Sequence, residues 1–337
     1  MTAIEIRGLY KEFWRQQKAA GLLGSLRSLY DRQGERIQAV QPLDLSVQAG
    51  ETLAFIGPNG AGKSTTIKML TGILHPSGGD AQVLGLVPWE QRNQLAFQIG
   101  TVFGQKSQLW YHLPPADSFH LLGRIYELDD QDSRRRQAEL VEWFELKEFF
   151  HVPVRKLSLG QRMRCELAAA LLHRPKVVFL DEPTIGLDVV ARRKMRDLIR
   201  SINQVDGVTV FLTSHDTGDI ENLCRRVVMI NQGEIVIDQP MAKLKYHYLQ
   251  EKIIDVRLEN SIDSAPVIPG ARVLKHKGPG VKLALDTNRL SIDELYMALR
   301  QLSPIADINI SDPPLEEIIA RIYGGDRPAA SDEGSDG

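Results

Sequence analysis

The sequence predicts an α/β protein, with a mostly parallel sheet covered by helices on both faces and a smaller α+β domain behind it. Three observations carry this. First, the short apolar runs GETLAFI (50–56), QIGTVF (98–103), KVVFLD (176–181) and GVTVFLTS (207–214) read as buried strands. Second, helical patterns such as STTIKMLTGIL and VARRKMRDLIRSI lie between them, and strand–helix alternation is the pattern of a parallel sheet. Third, the character changes at about residue 245. There KIIDVRLEN, ARVLKH, VKLALD and ADINISD read as strands, and SIDELYMALRQL and PPLEEIIARIY as helices. The expected organisation is a large α/β domain over 1–245, an accessory α+β domain over 246–323, and an acidic Gly/Ser-rich tail over 324–337, read as disordered.

Composition narrows the functional classes. The 337 residues carry 41 basic and 43 acidic side chains, a net charge of −2, so no global field recruits nucleic acid. No apolar run approaches the ~18 residues of a membrane span, and the opening MTAIEIRGLY lacks the apolar core of a signal peptide. The two cysteines, Cys165 and Cys224, form no CxxC pair. They are expected in the core of a protein kept in a reducing compartment.

The strongest motif is GPNGAGKST: Gly57, Pro58, Asn59, Gly60, Ala61, Gly62, Lys63, Ser64 and Thr65. It follows an expected strand and opens an expected helix, as a P-loop requires. The glycines let backbone N–H groups close around phosphates, Lys63 brings a mobile positive charge, and the Ser64 hydroxyl suits Mg²⁺. In VVFLDEPTIGLD, Asp181 and Glu182 end an apolar strand at the sheet edge where the P-loop also emerges. Asp181 suits Mg²⁺ held through water. Glu182, facing differently, suits orienting or deprotonating an attacking water. LSLGQRMR, 157–164, has no catalytic acid, nucleophile or metal-ligand spacing. It sets a serine at the mouth of a helix, an anion site whose anion the local sequence leaves open.

GPNGAGKST, LSLGQ, LDEP followed by GLD, and TSHD, in that order, resemble the nucleotide-binding subunit of an ABC transporter over residues 4–245. The resemblance implies a P-loop NTPase of the ABC ATPase type that hydrolyses ATP with Mg²⁺, with a helical subdomain over about 105–175. Gln105 matches the Q-loop glutamine that reaches Mg²⁺ and the attacking water and faces the membrane subunit. Ser158, Gly160 and Gln161 match the signature motif, Asp188 the D-loop aspartate, and His215 the switch histidine. Phe13 matches the aromatic that stacks on adenine, with Tyr10 as the fallback. In this family two copies meet head to tail, and each signature faces the ATP held by the other copy.

Two features depart from the family pattern. Leu159 stands where the signature usually has glycine. An insertion over 14–37 places Ala19, Leu22, Leu23, Leu26, Leu29 and Tyr30 at helical spacing among Arg15, Lys18, Arg27 and Arg32. Such a basic amphipathic helix suits a membrane surface or a partner groove, and equally packing on its own domain. The small C-terminal domain, the ending DPPLEEIIARIY and the stretch FGQKSQLWYHLPPADSF resemble bacterial exporters of the ABC-2 class, including viologen and drug exporters. The expected partners are therefore a second copy and separate ABC-2 permease subunits, at the cytoplasmic face of the membrane. An importer ATPase with a ligand-sensing C-terminal domain shares the motifs through His215. A non-transport ABC ATPase usually adds a second nucleotide domain, a coiled coil or zinc-binding cysteines.

Overall fold

A computed structural model of the chain describes residues 1–16, 34–104, 106–244, 251–313 and 315–324. They fall into two compact units, divided between Gln239 and Pro240.

The first unit holds two sheets. β1 (Thr2–Gln16), β2 (Gly34–Gln48) and β4 (Gly78–Val83) form an antiparallel sheet in the order β2-β1-β4. The second sheet contains β3 (Thr52–Ile56), β5 (Ile99–Phe103), β6 (Val177–Asp181), β7 (Thr209–Thr213), β8 (Arg226–Asn231) and β9 (Glu234–Pro240), in the order β5-β6-β7-β3-β8-β9. Strands β5, β6, β7, β3 and β8 run parallel; β3, β5, β6 and β7 are the four apolar runs read from the sequence, and β8 is not among them. Both β3 and β7 are buried at every position, the pattern of strands covered on two faces. Helix α1 (Lys63–Leu70) contributes Ile67, Met69 and Leu70 to a core shared with Ile4, Ile6 and Leu9 of the antiparallel sheet and Phe55, Phe179 and Phe211 of the parallel one.

Helices α2 (Arg92–Ala96), α3 (Pro115–Ile125), α4 (Asp130–Trp143) and α5 (Leu159–Ala170) follow, with a single 3₁₀ turn, Val154–Lys156, before α5. Helices α6 (Val189–Asp206) and α7 (Thr217–Leu223) complete this unit. Among the described residues no helix is long and apolar enough to cross a membrane. Both cysteines are buried, and burial pushes the Cys165 thiol up to about 12.

The insertion's helical stripe, Ala19 to Tyr30, lies outside the described residues. Its flanks are strand: Trp14 pairs with Arg36, and Gln16 with Gly34.

In the second unit β10 (Glu251–Leu258), β11 (Ala271–Lys277), β12 (Gly280–Asp286) and β13 (Ile305–Ser311) form an antiparallel sheet in the order β11-β12-β10-β13. Helix α8 (Ile292–Leu302) is opened by a reciprocal Ser291–Glu294 cap, and α9 (Leu315–Tyr323) follows β13. Leu295 and Leu299 of α8 join Ile254, Val256 and Leu283 in a separate core. The strands and helices expected beyond residue 245 all form. The tail from 325 onward is not among the described residues.

A half-buried base makes this fold sensitive to pH. The His173 ring stacks on Tyr126 with centroids 3.8 Å apart, and its Nε2 donates to the Ile99 carbonyl at 2.9 Å. Burial lowers its pKa from 6.5 to about 4. Because the folded value lies below the unfolded one, the stabilisation is complete above about pH 6.5 and is lost as the pH falls toward 4. Urea unfolding should show a decline of about 3 kcal/mol at most over that window, and His173→Asn should flatten it.

Candidate active site

The phosphate loop runs from the end of β3 into α1. Gly62, with φ 107°, sits where any Cβ would lie 2.7 Å from the Ala39 carbonyl, so only glycine lets β2 pass this close. Pro58, Asn59 and Gly60 are exposed, whereas Gly57, Ala61 and Lys63 are buried. The Lys63 ammonium donates to the Gly57 carbonyl at 2.6 Å and the Pro58 carbonyl at 3.1 Å. Burial lowers its pKa, while the charges of Glu182 and Asp181 act in the opposite direction.

The parallel register assembles the rest. Asp181 ends β6 opposite Thr213 of β7, and Phe103 of β5 pairs with Asp181 from the other side. The Ser64 hydroxyl donates to Asp181 Oδ2 at 2.9 Å, and the Thr213 hydroxyl to Oδ1 at 2.6 Å. Glu182 leaves the strand with φ 55°, a left-handed conformation uncommon outside glycine. Its amide donates to the Thr213 carbonyl at 3.0 Å, which helps hold that conformation. Its Oε1 lies 3.0 Å from His215 Nε2. The same nitrogen stands 3.3 Å from Lys63 Nζ. One ring nitrogen cannot donate to the carboxylate and accept from the ammonium. Since Lys63 already has two carbonyls, we place the proton on Nε2, donating to Glu182.

Lys63, Ser64, Asp181, Glu182 and His215, read from three separate motifs, thus meet in one cluster. Beside it Ser64, Lys68, Phe103, Gly104, Lys106, Asp181 and Glu182 line a cleft of about 240 Å³. A larger hollow of about 510 Å³ lies at the opposite, N-terminal ends of the strands, where Lys176 and Thr209 stand, away from this chemistry. Gln105 is outside the described residues, but the Gly104 amide before it donates to the Asp181 carbonyl at 2.9 Å. The chain at Gly104 therefore lies beside the two acids.

Ser158, Gly160 and Gln161 stand elsewhere, at the N-terminus of α5. Ser158 accepts from the Gln161 amide at 3.2 Å, and Gln161 Oε1 accepts from the Ser158 amide at 2.9 Å. Ser158 is exposed, and among the described residues no hydrogen bond joins it to the Lys63 cluster. Asp188 caps α6, accepting from the Ala191 amide at 2.8 Å. The signature abuts this loop. A Cβ on Gly160 would meet Ala191, and one on Gly186 (φ 73°) would lie 3.0 Å from Leu159 Cδ2. Leu159 is thus seated over a glycine, which shows where its bulk goes. Phe13 is 41% exposed, with the Lys11 ammonium 5.3 Å from its ring centre, and it pairs with Ile37, two positions before the Ala39 that touches the phosphate loop. Tyr10, the fallback, packs its ring on Gly78 instead.

Thr213 is not among the site residues the sequence predicts. The signal was present, a hydroxyl at the end of the apolar strand that runs into TSHD, but its meaning depends on the β6–β7 register. Thr213→Val removes the hydroxyl that holds the Asp181 carboxylate and should lower kcat about tenfold, with nucleotide affinity retained. Steady-state ATPase assays beside nucleotide titration would check this.

A profile of the ABC transporter family matches residues 40–185. The chain is 34% identical over 297 residues to the daunorubicin/doxorubicin resistance ATP-binding protein DrrA of Streptomyces peucetius, covering 85% of this chain and 88% of that one. It is 31% identical over 300 residues to DrrA3 of Streptomyces coeruleorubidus, covering 88% and 94%. It is 34% identical to the linearmycin resistance ATP-binding protein LnrL of Bacillus subtilis, spanning 63% of that protein's length and 58% of this chain. Among solved structures, a bacterial ABC transporter cassette in dimeric form superposes with a TM-score of 0.58 at 25% identity, over 71% of this chain and 98% of that one.

Proposed function

The chain belongs to the ABC transporter ATP-binding proteins, a family of ATP hydrolases, and we propose that it drives export of a small molecule through separate membrane subunits. In this reading it closes head to tail with a second copy of itself over two ATP molecules. One observation carries the proposal. Ser158 is exposed at the half-buried first turn of α5, and among the described residues it is bonded to none of the groups around its own Lys63. An anion site turned outward, with its own chain's phosphate loop elsewhere, suits a nucleotide held by a partner. Export is supported by the two relatives matched over nearly their whole length, both named for daunorubicin resistance, which removal of a compound from the cell explains. The chain would then work as a peripheral protein at the cytoplasmic face of the membrane, docked on ABC-2 permease subunits.

In this reading the residues have distinct roles, which the geometry supports. The phosphate-loop amides and Lys63 cradle the phosphates of ATP, and Phe13, exposed on β1, is the adenine contact. Ser64 and Asp181 present hard oxygens 2.9 Å apart, which fits Mg²⁺. Among the described residues no group of three or more His, Cys, Asp or Glu could cage a metal. When bound, the ion offsets phosphate charge, and Gln105 is the further ligand the resemblance implies. Glu182 orients or deprotonates the attacking water, and His215 holds the Glu182 carboxylate in place. Signature residues Ser158, Gly160 and Gln161, with the D-loop Asp188, complete the partner's site on closure. Hydrolysis is thereby tied to a large motion.

The direct test is affinity purification of the tagged chain from membranes in mild detergent, followed by identification of what accompanies it. Polytopic membrane subunits without a substrate-binding protein are expected. A soluble binding protein in the complex would replace export by import, and recovery only with ribosomes or DNA-repair complexes would end the transport reading.

A further inference from the structure

Glu166 lies on α5 about two turns beyond Ser158, and it is only 3% exposed among buried Cys165, Leu167, Ala168 and Ala169. A carboxylate placed there is costly unless it is bonded, and its bonds converge from one short segment. The Ser107 hydroxyl donates to Oε1 in a short contact, and the Gln108 amide donates to Oε2 at 3.1 Å. Gln108 Nε2 also donates to the Glu166 main-chain carbonyl at 2.8 Å. Burial raises the pKa of this carboxyl, and the bonds from Ser107, Gln108 and Leu109, with the charge of Arg162, oppose that shift. If helix packing were the only need, an apolar side chain would meet it with less desolvation.

The two ends of this link matter. Residues 107–109 follow Gly104, whose amide bonds the Asp181 carbonyl just past the end of β5. The helix on the other side carries Ser158 at its N-terminus, roughly 12 Å away along the axis. We propose that Glu166 is a positioning residue for ATP hydrolysis. It clamps the segment after the Q-loop to the signature helix, so that displacing this segment moves Ser158 and the helix N-terminus as one body. The inference rests on the reading that Ser158 serves ATP in a closed dimer.

The test uses the full chain with Glu166→Gln, Ser107→Ala, the double variant, and Cys165→Ala as a buried neighbour without bonds to the segment. Fluorescent-ATP binding, kcat, KM and melting temperature are measured for each. Glu166→Gln and Ser107→Ala should each lower kcat by about tenfold to a hundredfold, the scale of an ångström-sized misplacement. KM and nucleotide affinity should stay within about twofold. The double variant should fall no further than the worse single one, because the residues act through each other. Cys165→Ala should keep kcat near wild type even where it lowers the melting temperature.

Unchanged kcat in a folded Glu166→Gln protein, additive losses, or an equal kcat loss in Cys165→Ala at an equal loss of melting temperature would each overturn the clamp. If Glu166→Gln does not fold, Ser107→Ala, at an exposed residue, decides alone. A separate control distinguishes the underlying reading: Ser158→Cys with Asn59→Cys, in a background lacking Cys165 and Cys224, should crosslink between chains under ATP. If that crosslink is absent while Ser107 and Glu166 remain non-additive, the shared-site reading fails and the clamp stands within one chain.

Discussion

Glu182→Gln is expected to keep ATP binding and abolish turnover, with kcat falling by about a hundredfold to a thousandfold, or about 3–4 kcal/mol of barrier. The substitution preserves size, and the His215 Nε2–H can still donate to the amide oxygen across a distance close to the present 3.0 Å. What is lost is the ability to orient a water through a full negative charge and to accept its proton. The phosphate cradle is untouched, since Lys63 bonds to Gly57 and Pro58 and Ser64 bonds to Asp181. ATP affinity should therefore stay within about threefold, and the glutamine form should accumulate as an ATP-bound dimer on size-exclusion chromatography. Near-normal ATPase activity in this variant would reassign the base.

The second large effect concerns whose ATP the signature serves. Lys63→Ala and Ser158→Arg should each be inactive as homodimers. The first removes the buried ammonium from the phosphate loop, and the second replaces an exposed helix cap with a bulky cation. If each signature serves its own chain's ATP, every site in a mixed dimer carries one lesion, and activity stays at background. If it serves the partner's ATP, both lesions fall in one site. The other site then pairs the intact loop of the Ser158→Arg chain with the intact signature of the Lys63→Ala chain. ATPase activity should return on mixing, in the presence of the membrane subunits. Strict coupling could silence a lone intact site, so the Ser158–Asn59 crosslink is the deciding readout. Bridging only within a chain, or no bridging under ATP, would sink the shared site.

The elements best read from the sequence were those whose signal is local. The phosphate loop declares itself because the glycines, Lys63 and Ser64 are contiguous and flanked by a strand and a helix. The parallel strands declare themselves because burial on both faces leaves unbroken apolar runs such as VVFLD. The accessory elements beyond residue 245 carry clean alternation or caps, as in Ser291 with Glu294. The antiparallel sheet was not legible. It joins residues 2–16 to 34–48 and 78–83, and its strands bury only one face, so their polar positions hide the pattern.

The sequence by itself determined the family, the order of the motifs and the chemical type of each acid, base and hydroxyl. These depend on residue identity at fixed spacing along the chain. Only the tertiary structure decided which of them meet. Thr213 holds Asp181 because β6 and β7 are in one register. Leu159 is accommodated because Gly186 lies under it, and Glu166 bonds Ser107 across 59 positions of chain. The outward face of Ser158 is likewise a property of where α5 packs. Contacts of this kind are set by strand order and helix packing between distant segments, and no local periodicity encodes them.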